Sequence, residues 1–298
     1  MIRINTNEWR AEIQPEYGGN LCRLQHISSG MDILHFPDTV EQLRAEPEVY
    51  GVPVLLPPNR IDGGKFRFQE RDYVLPLNEP TRGNHLHGLI RGAPWRVGDV
   101  GPDFAVLGLE FTATSGFPHD FSLDMRYEFR PEAVMQRFRC TNRSKQPMPF
   151  GLGFHTTFRM PPGARAMVAA ENYYWELTEP RFLLSGKQIN WPEHQHELSD
   201  RLGIRLHAPT AEKIIDGKPF RGMIITYPGQ KLRLHYELDN VYRFWFFWNG
   251  GGGRELLSAE PMTWMVNAPN LDLPPEITGL QVIEPGHTWE AETRFYMS

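Results

Sequence analysis

From Phe121 to Phe129 the chain reads Phe121-Ser122-Leu123-Asp124-Met125-Arg126-Tyr127-Glu128-Phe129, apolar at every second position and polar or charged between. Successive side chains of an extended chain point to opposite faces, so this stretch predicts a strand with one buried and one wet face. Lys231-Leu232-Arg233-Leu234-His235-Tyr236-Glu237 repeats the pattern, and Val134, Phe138 and Cys140 follow it loosely. Arg243-Phe244-Trp245-Phe246-Phe247-Trp248 is apolar nearly throughout and predicts a strand covered on both faces. Helical signals are few. Asp38 to Glu46 is the one short candidate, with Asp38 as N-cap and Glu41 three residues on. Turn signals recur at Asp62-Gly63-Gly64, Pro161-Pro162-Gly163, Asp216-Gly217, Pro228-Gly229 and Pro285-Gly286. Many strands cut by Gly/Pro turns predict an all-β fold, a large β-sandwich with few short helices. With no linker-like stretch or internal repeat, residues 1–298 read as a single domain.

Composition excludes several classes. Apolar residues are 40% and aromatics 12% of 298, too many for a disordered chain. The formal net charge of −5 argues against a nucleic-acid surface, which needs a basic face. No apolar run approaches the roughly 18 residues of a membrane span. Met1 to Pro15 carries no apolar segment of a secretory signal, so a cytoplasmic protein with reduced Cys22 and Cys140 is expected. Asn142-Arg143-Ser144 fits a glycosylation sequon and is read as chance in that setting.

The chemistry-bearing residues are scattered. Asn249-Gly250-Gly251-Gly252-Gly253-Arg254 lacks the Lys-Ser/Thr of a phosphate loop and reads as a hairpin turn. His85-Leu86-His87 and His194-Gln195-His196 are H-x-H pairs that a strand would present on one face. No Cys or carboxylate cluster completes either, so no metal and no other cofactor is expected. His155 lies in the apolar stretch Gly151 to Phe158, where a core histidine is the simpler reading. Glu260 ends the apolar run Leu256-Leu257-Ser258-Ala259. It is either a strand-end carboxylate in water or a desolvated general base. Asn59-Arg60 precedes a turn, and an ordinary surface Arg is the simpler reading there.

The order of these pieces resembles the aldose 1-epimerase (galactose mutarotase-like) family over most of the chain. Tyr17-Gly18-Gly19-Asn20-Leu21 is similar to its opening turn, and Pro57-Pro58-Asn59-Arg60-Ile61-Asp62-Gly63-Gly64-Lys65-Phe66 to its P-N-R-I-x-x-G-x-F stretch. Asn84-His85-Leu86-His87-Gly88 resembles its N-x-L-H-G segment, and His155 with Phe158 its H-x-x-F element. Glu260-Pro261 followed by Asn267-Ala268-Pro269-Asn270 matches its E-P…N-A-P-N element, and Gly279 to Gly286 its closing strand. Phe154 stands where many members have Asn, and Leu89 where galactose mutarotases have a second Gly. His87-Gly88-Leu89-Ile90-Arg91, with Trp95, looks instead like the H-G-F-x-R…W branch, which includes hexose-6-phosphate epimerases.

The resemblance implies the family's supersandwich and a mutarotase that interconverts the α and β anomers of a hexose. Ring opening removes a proton from the C1 hydroxyl and gives one to the ring oxygen; closure on the other face reverses this. One acid and one base suffice. The resemblance makes Glu260 the base and His155 the acid, with Glu ionised and His protonated together near neutral pH. His87 assists at the ring oxygen or C1, and Arg60 and Asp216 bind hydroxyls. Trp248 or Trp264 could stack on the sugar, with core packing the simpler reading of either. Two alternatives stand beside this. A hexose-6-phosphate 1-epimerase would use Arg91 with Arg60 as a phosphate clamp. A silent carbohydrate-binding protein would share the sandwich without the chemistry. A lyase or hydrolase would expect an extended aromatic groove and secretion. The expected partner is a small sugar, with neither nucleic acid nor membrane, on a monomer or homodimer.

Overall fold

In the computed structural model, which describes Met1–Ser298, the alternating stretch forms the strand Phe121–Arg130. Phe121, Leu123, Met125, Tyr127 and Phe129 are buried, while Asp124, Arg126 and Glu128 keep partial contact with solvent. The strand belongs to a nine-stranded antiparallel sheet. From one edge its order is Arg96–Val100, Phe104–Phe111, Phe121–Arg130, Ala133–Asn142, Thr288–Met297, Arg233–Leu238, Gly222–Thr226, Arg165–Val168 and Glu197–Leu198.

A second, eight-stranded sheet runs Leu183–Asn190, Tyr173–Thr178, Arg205–Pro209, Phe244–Trp248, Leu256–Met262, Gly153–Phe154 and Val54–Leu55, with Thr156–Arg159 also paired to Leu256–Met262. The inner faces of the two sheets meet. Phe138 packs edge-on against Phe154 at 6.3 Å between ring centres, Tyr236 lies 6.3 Å from Trp245, and Phe295 6.2 Å from Phe158. The hydroxyls of Thr156 and Tyr236 meet at 2.9 Å between the layers, so the two polar atoms satisfy each other inside the core. These side chains belong to one contiguous apolar core of 65 buried residues. Truncating any of the large rings here to Ala would cost about 3–5 kcal/mol. The all-β sandwich expected from the alternation is what forms.

An N-terminal sheet, Ile2–Asn5, Trp9–Gln14, Asn20–His26 and Met31–Asp32, is tied to the nine-stranded sheet. Trp9 Nε1 donates to the Arg130 carbonyl at 2.9 Å, and the Tyr127 hydroxyl to the Gly19 carbonyl at 3.1 Å. The only α-helices are Val40–Ala45 and Pro275–Thr278. The first starts one residue later than its sequence suggests. Thr39, not Asp38, is the cap: its hydroxyl accepts from the Gln42 N–H at 3.2 Å, and the Asp38 N–H donates to Gln42 Oε1 at 2.7 Å. No helix is long and apolar enough to cross a membrane.

The outward face of the eight-stranded sheet positions the site. Along Phe244–Trp248, Trp245 and Phe247 are fully buried, with Trp245 reaching Tyr236 of the facing sheet; by alternation Phe246 and Trp248 point the other way, into a pocket. The strand expected to be covered on both faces is therefore covered by core on one side and by the walls of that pocket on the other.

Candidate active site

His155 sits between Gly153–Phe154 and Thr156–Arg159. Both pair with Leu256–Met262 in one continuous register, Gly153 opposite Met262 and Thr156 opposite Ala259. That register sets His155 opposite Glu260. Opposed side chains on one face have Cβ atoms about 4.5–5.5 Å apart, and here His155 Nε2 is 3.4 Å from Glu260 Oε1. Phe154 and Thr156 point into the core, so alternation alone turns His155 outward.

His87 follows the strand Asn84–Leu86, which pairs with Arg60–Asp62. At His87 the backbone enters the left-handed region (φ 63°), and Gly88 follows at φ 89°. A Cβ on Gly88 would fall 2.1 Å from the Leu56 carbonyl oxygen, so glycine is required. The bend separates the two histidines of the H-x-H pair. His85 Nδ1 meets the Pro76 carbonyl at 2.7 Å, whereas the His87 ring packs edge-on against His155 at 5.2 Å. The other pair lies at a 3-10 turn, with His196 Nε2 on the Trp191 carbonyl at 2.8 Å.

The pocket has a volume of about 330 Å³, in the range of small-molecule sites. His87, His155 and Glu260 form its floor, Phe246 and Trp248 one side, and Asn59, Arg60, Arg82 and Arg205 line it further. Glu46, Glu48 and Arg254 also line it. Trp248 lies 6.1 Å from His155 and is partly open to the pocket. Trp264 is buried with its Nε1–H on the Pro58 carbonyl at 3.1 Å, so it is a core residue.

Burial governs the floor. It pushes Glu260 up to about 8, against the weaker opposing charge of Arg60 and a 3.5 Å hydrogen bond from Asn59 Nδ2 to Glu260 Oε2. It pushes His155 down to about 4. His87 is driven well below the usual histidine range by burial, then by His155, Arg60 and Arg91. The expected ionised Glu beside a protonated His is therefore not the favoured form of the empty site. Burial disfavours the charged form of both groups, which favours the proton on Glu260 beside a neutral His155. The donor atoms of His87, His155 and Glu260 lie within 4.8 Å of one another. Two imidazoles and a carboxylate are also a donor set that divalent transition metals accept.

The structure brings Arg60, His87, His155 and Glu260 together and leaves two expected residues out. Asp216 is not at the pocket. It occupies the tight turn between Lys213–Ile215 and Lys218–Phe220 at φ 50°, with Gly217 at 76°, and its exposed carboxylate accepts from Arg233 at 2.6 Å. Asp-Gly is there because both turn positions need positive φ. Arg91 does not line the pocket either; it pairs with Glu48, a lining residue, at 3.6 Å. Arg60 lines the pocket, but its fork faces Glu79: Nε and Nη2 donate to the two carboxylate oxygens at 2.9 and 3.0 Å. That leaves Nη1 for a ligand.

The sequence reading missed Glu79, Arg82 and Arg205 and gave Asn59 no role. Asn59 and Glu79 adjoin recognisable motifs, and their proximity to Arg60 was the available signal. Arg82 and Arg205 carry no local signal at all. The asparagines of the family-like segments turn out to be braces. Asn20 spans the Tyr50 carbonyl and the Val52 N–H, and Asn267 Oδ1 accepts from the Asp62 N–H at 2.9 Å beside Arg60.

The sandwich carries a buried histidine–glutamate pair on the outer face of its eight-stranded sheet. The chain belongs to the aldose 1-epimerase family, whose model matches residues 1–296. Its structure is similar to that of a galactose mutarotase-like protein from Clostridium acetobutylicum, with a TM-score of 0.91 and 27% identity over 99% of this chain and 94% of that one. It shares its fold with a galactose 1-epimerase from Lactobacillus acidophilus, with a TM-score of 0.77 and 15% identity over 99% and 92% of the two chains. In sequence it is 24% identical over 266 residues to the uncharacterised protein YihR of Escherichia coli, covering 85% of this chain and 80% of that one.

Proposed function

We propose that the protein is a mutarotase, an isomerase that interconverts the α and β anomers of a hexose at the Glu260–His155 pair. The observation that carries this reading is the 3.4 Å approach of the two side chains on a buried floor, with their proton affinities moved in opposite directions. Between about pH 4 and about pH 8 the pair holds one proton, the inventory that ring opening needs. Passing that proton to His155 gives a carboxylate and an imidazolium. Glu260 then takes the C1 hydroxyl proton and His155 protonates the ring oxygen. Afterwards Glu260 carries the proton and His155 is neutral, the same form as before the transfer, so burial favours the closed-ring and open-chain states alike and disfavours the ion pair between them. Rotation about C1–C2 and the reverse transfers close the ring on its other face.

His87, kept neutral, holds a hydrogen bond near the ring oxygen or C1 without placing a third charge on the floor. Arg60 offers Nη1 to a hydroxyl, and Trp248 packs against the sugar's apolar face. A silent sugar-binding protein has no use for a buried acid–base pair, whose desolvation costs stability. The test is anomer exchange followed by NMR or polarimetry on fresh α-glucose and α-galactose. Acceleration by wild type and its loss in Glu260→Gln support the reading; no acceleration on any sugar overturns it.

A further inference from the structure

His85-Leu86-His87 has no third metal ligand in the sequence around it, but the fold supplies two from elsewhere. His85 turns away to the Pro76 carbonyl, and His87 turns onto the floor beside His155 and Glu260. All three floor residues are buried, and one donor atom from each lies within 4.8 Å of the other two. His155 Nε2 and Glu260 Oε1 stand 3.4 Å apart. Two ligands of a tetrahedral Zn²⁺, at bond lengths of about 2.0–2.2 Å, stand about 3.3–3.6 Å apart. That edge of the polyhedron is therefore already in place, and a movement of the His87 ring by roughly 1.5 Å or less completes the face.

The outer side of two of these ligands is already committed. Thr157 Oγ1 takes the Nδ1 side of His155 at 3.4 Å and is itself 2.8 Å from Ser258 Oγ, so Nε2 is the nitrogen presented to Glu260. Asn59 Nδ2 donates to Glu260 Oε2 at 3.5 Å, so Oε1 is the oxygen presented to His155. Outer partners of this kind orient the ligands of metal sites. His87 Nδ1 is closed to solvent and has no hydrogen-bond partner. The guanidiniums that face the floor are each met by a carboxylate, Arg60 by Glu79 and Arg91 by Glu48. We propose that His87, His155 and Glu260 form a binding site for a divalent transition cation, with Zn²⁺ the best match, and that the pocket side of the ion stays open to water or a sugar hydroxyl. Two imidazoles and one carboxylate suit such ions, whereas Mg²⁺ and Ca²⁺ take oxygen ligands. Binding does not depend on the mutarotase reading, but one consequence does. The ion occupies the His155 nitrogen and the Glu260 oxygen that proton transfer uses, so zinc occupancy and anomer exchange exclude each other.

Titration calorimetry of chelator-treated protein with zinc, cobalt(II) and magnesium chlorides tests it. One Zn²⁺ per chain is expected, bound about a hundred-fold or more tightly than Mg²⁺. The Co²⁺ form is expected to show the intense visible absorption of a four-coordinate site. His87→Gln and Glu260→Gln are each expected to weaken Zn²⁺ binding about ten-fold or more, and each serves should the other fold poorly. His194→Gln, at an exposed histidine of the second H-x-H pair, is expected to leave binding unchanged. No stoichiometric binding, Mg²⁺ bound as tightly as Zn²⁺, or affinity untouched by both floor variants overturns the proposal, as does an equal loss in His194→Gln. Anomer exchange on the same samples separates this claim from the mutarotase reading. Zinc binding without exchange in the metal-free protein retains the site and removes that reading, and exchange without zinc binding does the reverse. Where both occur, exchange is expected to fall in proportion to zinc occupancy and to return with chelator; undiminished exchange at full occupancy overturns the exclusion.

Discussion

Glu79 and Glu260 are both buried glutamates beside one pocket, and they titrate in opposite directions. Burial raises Glu79 too, but hydrogen bonds from Arg60 and Asn84 and the charges of Arg60 and Arg82 more than reverse it, leaving its carboxyl below the usual range. Glu260 has a histidine at 3.4 Å and an amide at 3.5 Å, and burial prevails. The difference lies in partners as well as depth, since Glu260 is the more deeply buried of the two. A guanidinium keeps its charge in any setting, whereas an imidazole gives its charge up when desolvated. The mouth is thus a fixed array of charges, and the floor a place where burial gives the one proton a preferred host, Glu260.

Removing the carboxyl from the floor tests the contrast most severely. Glu260→Gln is expected to lower anomer exchange by about 10³-fold, within the 10²–10⁴ range of general acid–base catalysis. Its effect on stability follows from the raised proton affinity. Wild type gains from the protonated carboxyl below the unfolded value and loses that gain as pH rises through about 8. The melting temperature of the Gln variant relative to wild type is therefore expected to climb across that window. Equal pH dependence in the two proteins would show Glu260 to be ionised in the empty site.

Glu79→Gln strikes the mouth instead. Arg60 and Arg82 lose their carboxylate, and breaking a buried pair in this way costs about 3–5 kcal/mol. Denaturant unfolding measures it, and a loss under about 1 kcal/mol would mean that water already screens the cluster. The pH profile of exchange follows in size. The rate is expected to be level between about 4 and about 8. It falls on the acid side as His155 gains a proton and no base remains, and on the alkaline side as Glu260 loses its proton and no acid remains. A rise beyond pH 8 would assign the chemistry to other groups. Asn59→Gly gives the smallest effect. Glycine tolerates the φ of 57° there, and loss of the amide donor is expected to move the alkaline limb upward by about half a unit, the equivalent of one ordinary hydrogen bond. A downward shift would break the account of what opposes burial at Glu260.

What the sequence discloses divides along the same line. The strand Phe121–Arg130 and the apolar run through Trp248 are legible because alternation is a local property of the chain. Asp216-Gly217 shows the opposite hazard: a local turn requirement produced an aspartate that resembled a ligand. His155 and Glu260 look like a core histidine and a strand-end carboxylate when read alone, and only the order of the family-like segments joins them. A raised proton affinity at Glu260 was one of two open readings of its apolar run, whereas the lowered one at His155 was not legible, because it depends on how much of the sandwich encloses the ring. Arg82 and Arg205 were invisible for a simpler reason. They come from segments far apart in the chain and meet only at the pocket.

The opposition of His155 and Glu260 across adjoining strands has a consequence for how such a protein changes its diet. The spacing of His155 and Glu260 is a backbone property, fixed by the ladder from Gly153–Met262 to Thr156–Ala259. Much of the mouth is carried on connecting segments, such as those holding Arg82 and Glu48. Those segments can be exchanged, lengthened or recharged without resetting the distance over which a proton moves. One scaffold can therefore diversify in the sugars it accepts while its reaction stays unaltered, and grafting mouth segments between family members is the corresponding route for the engineer.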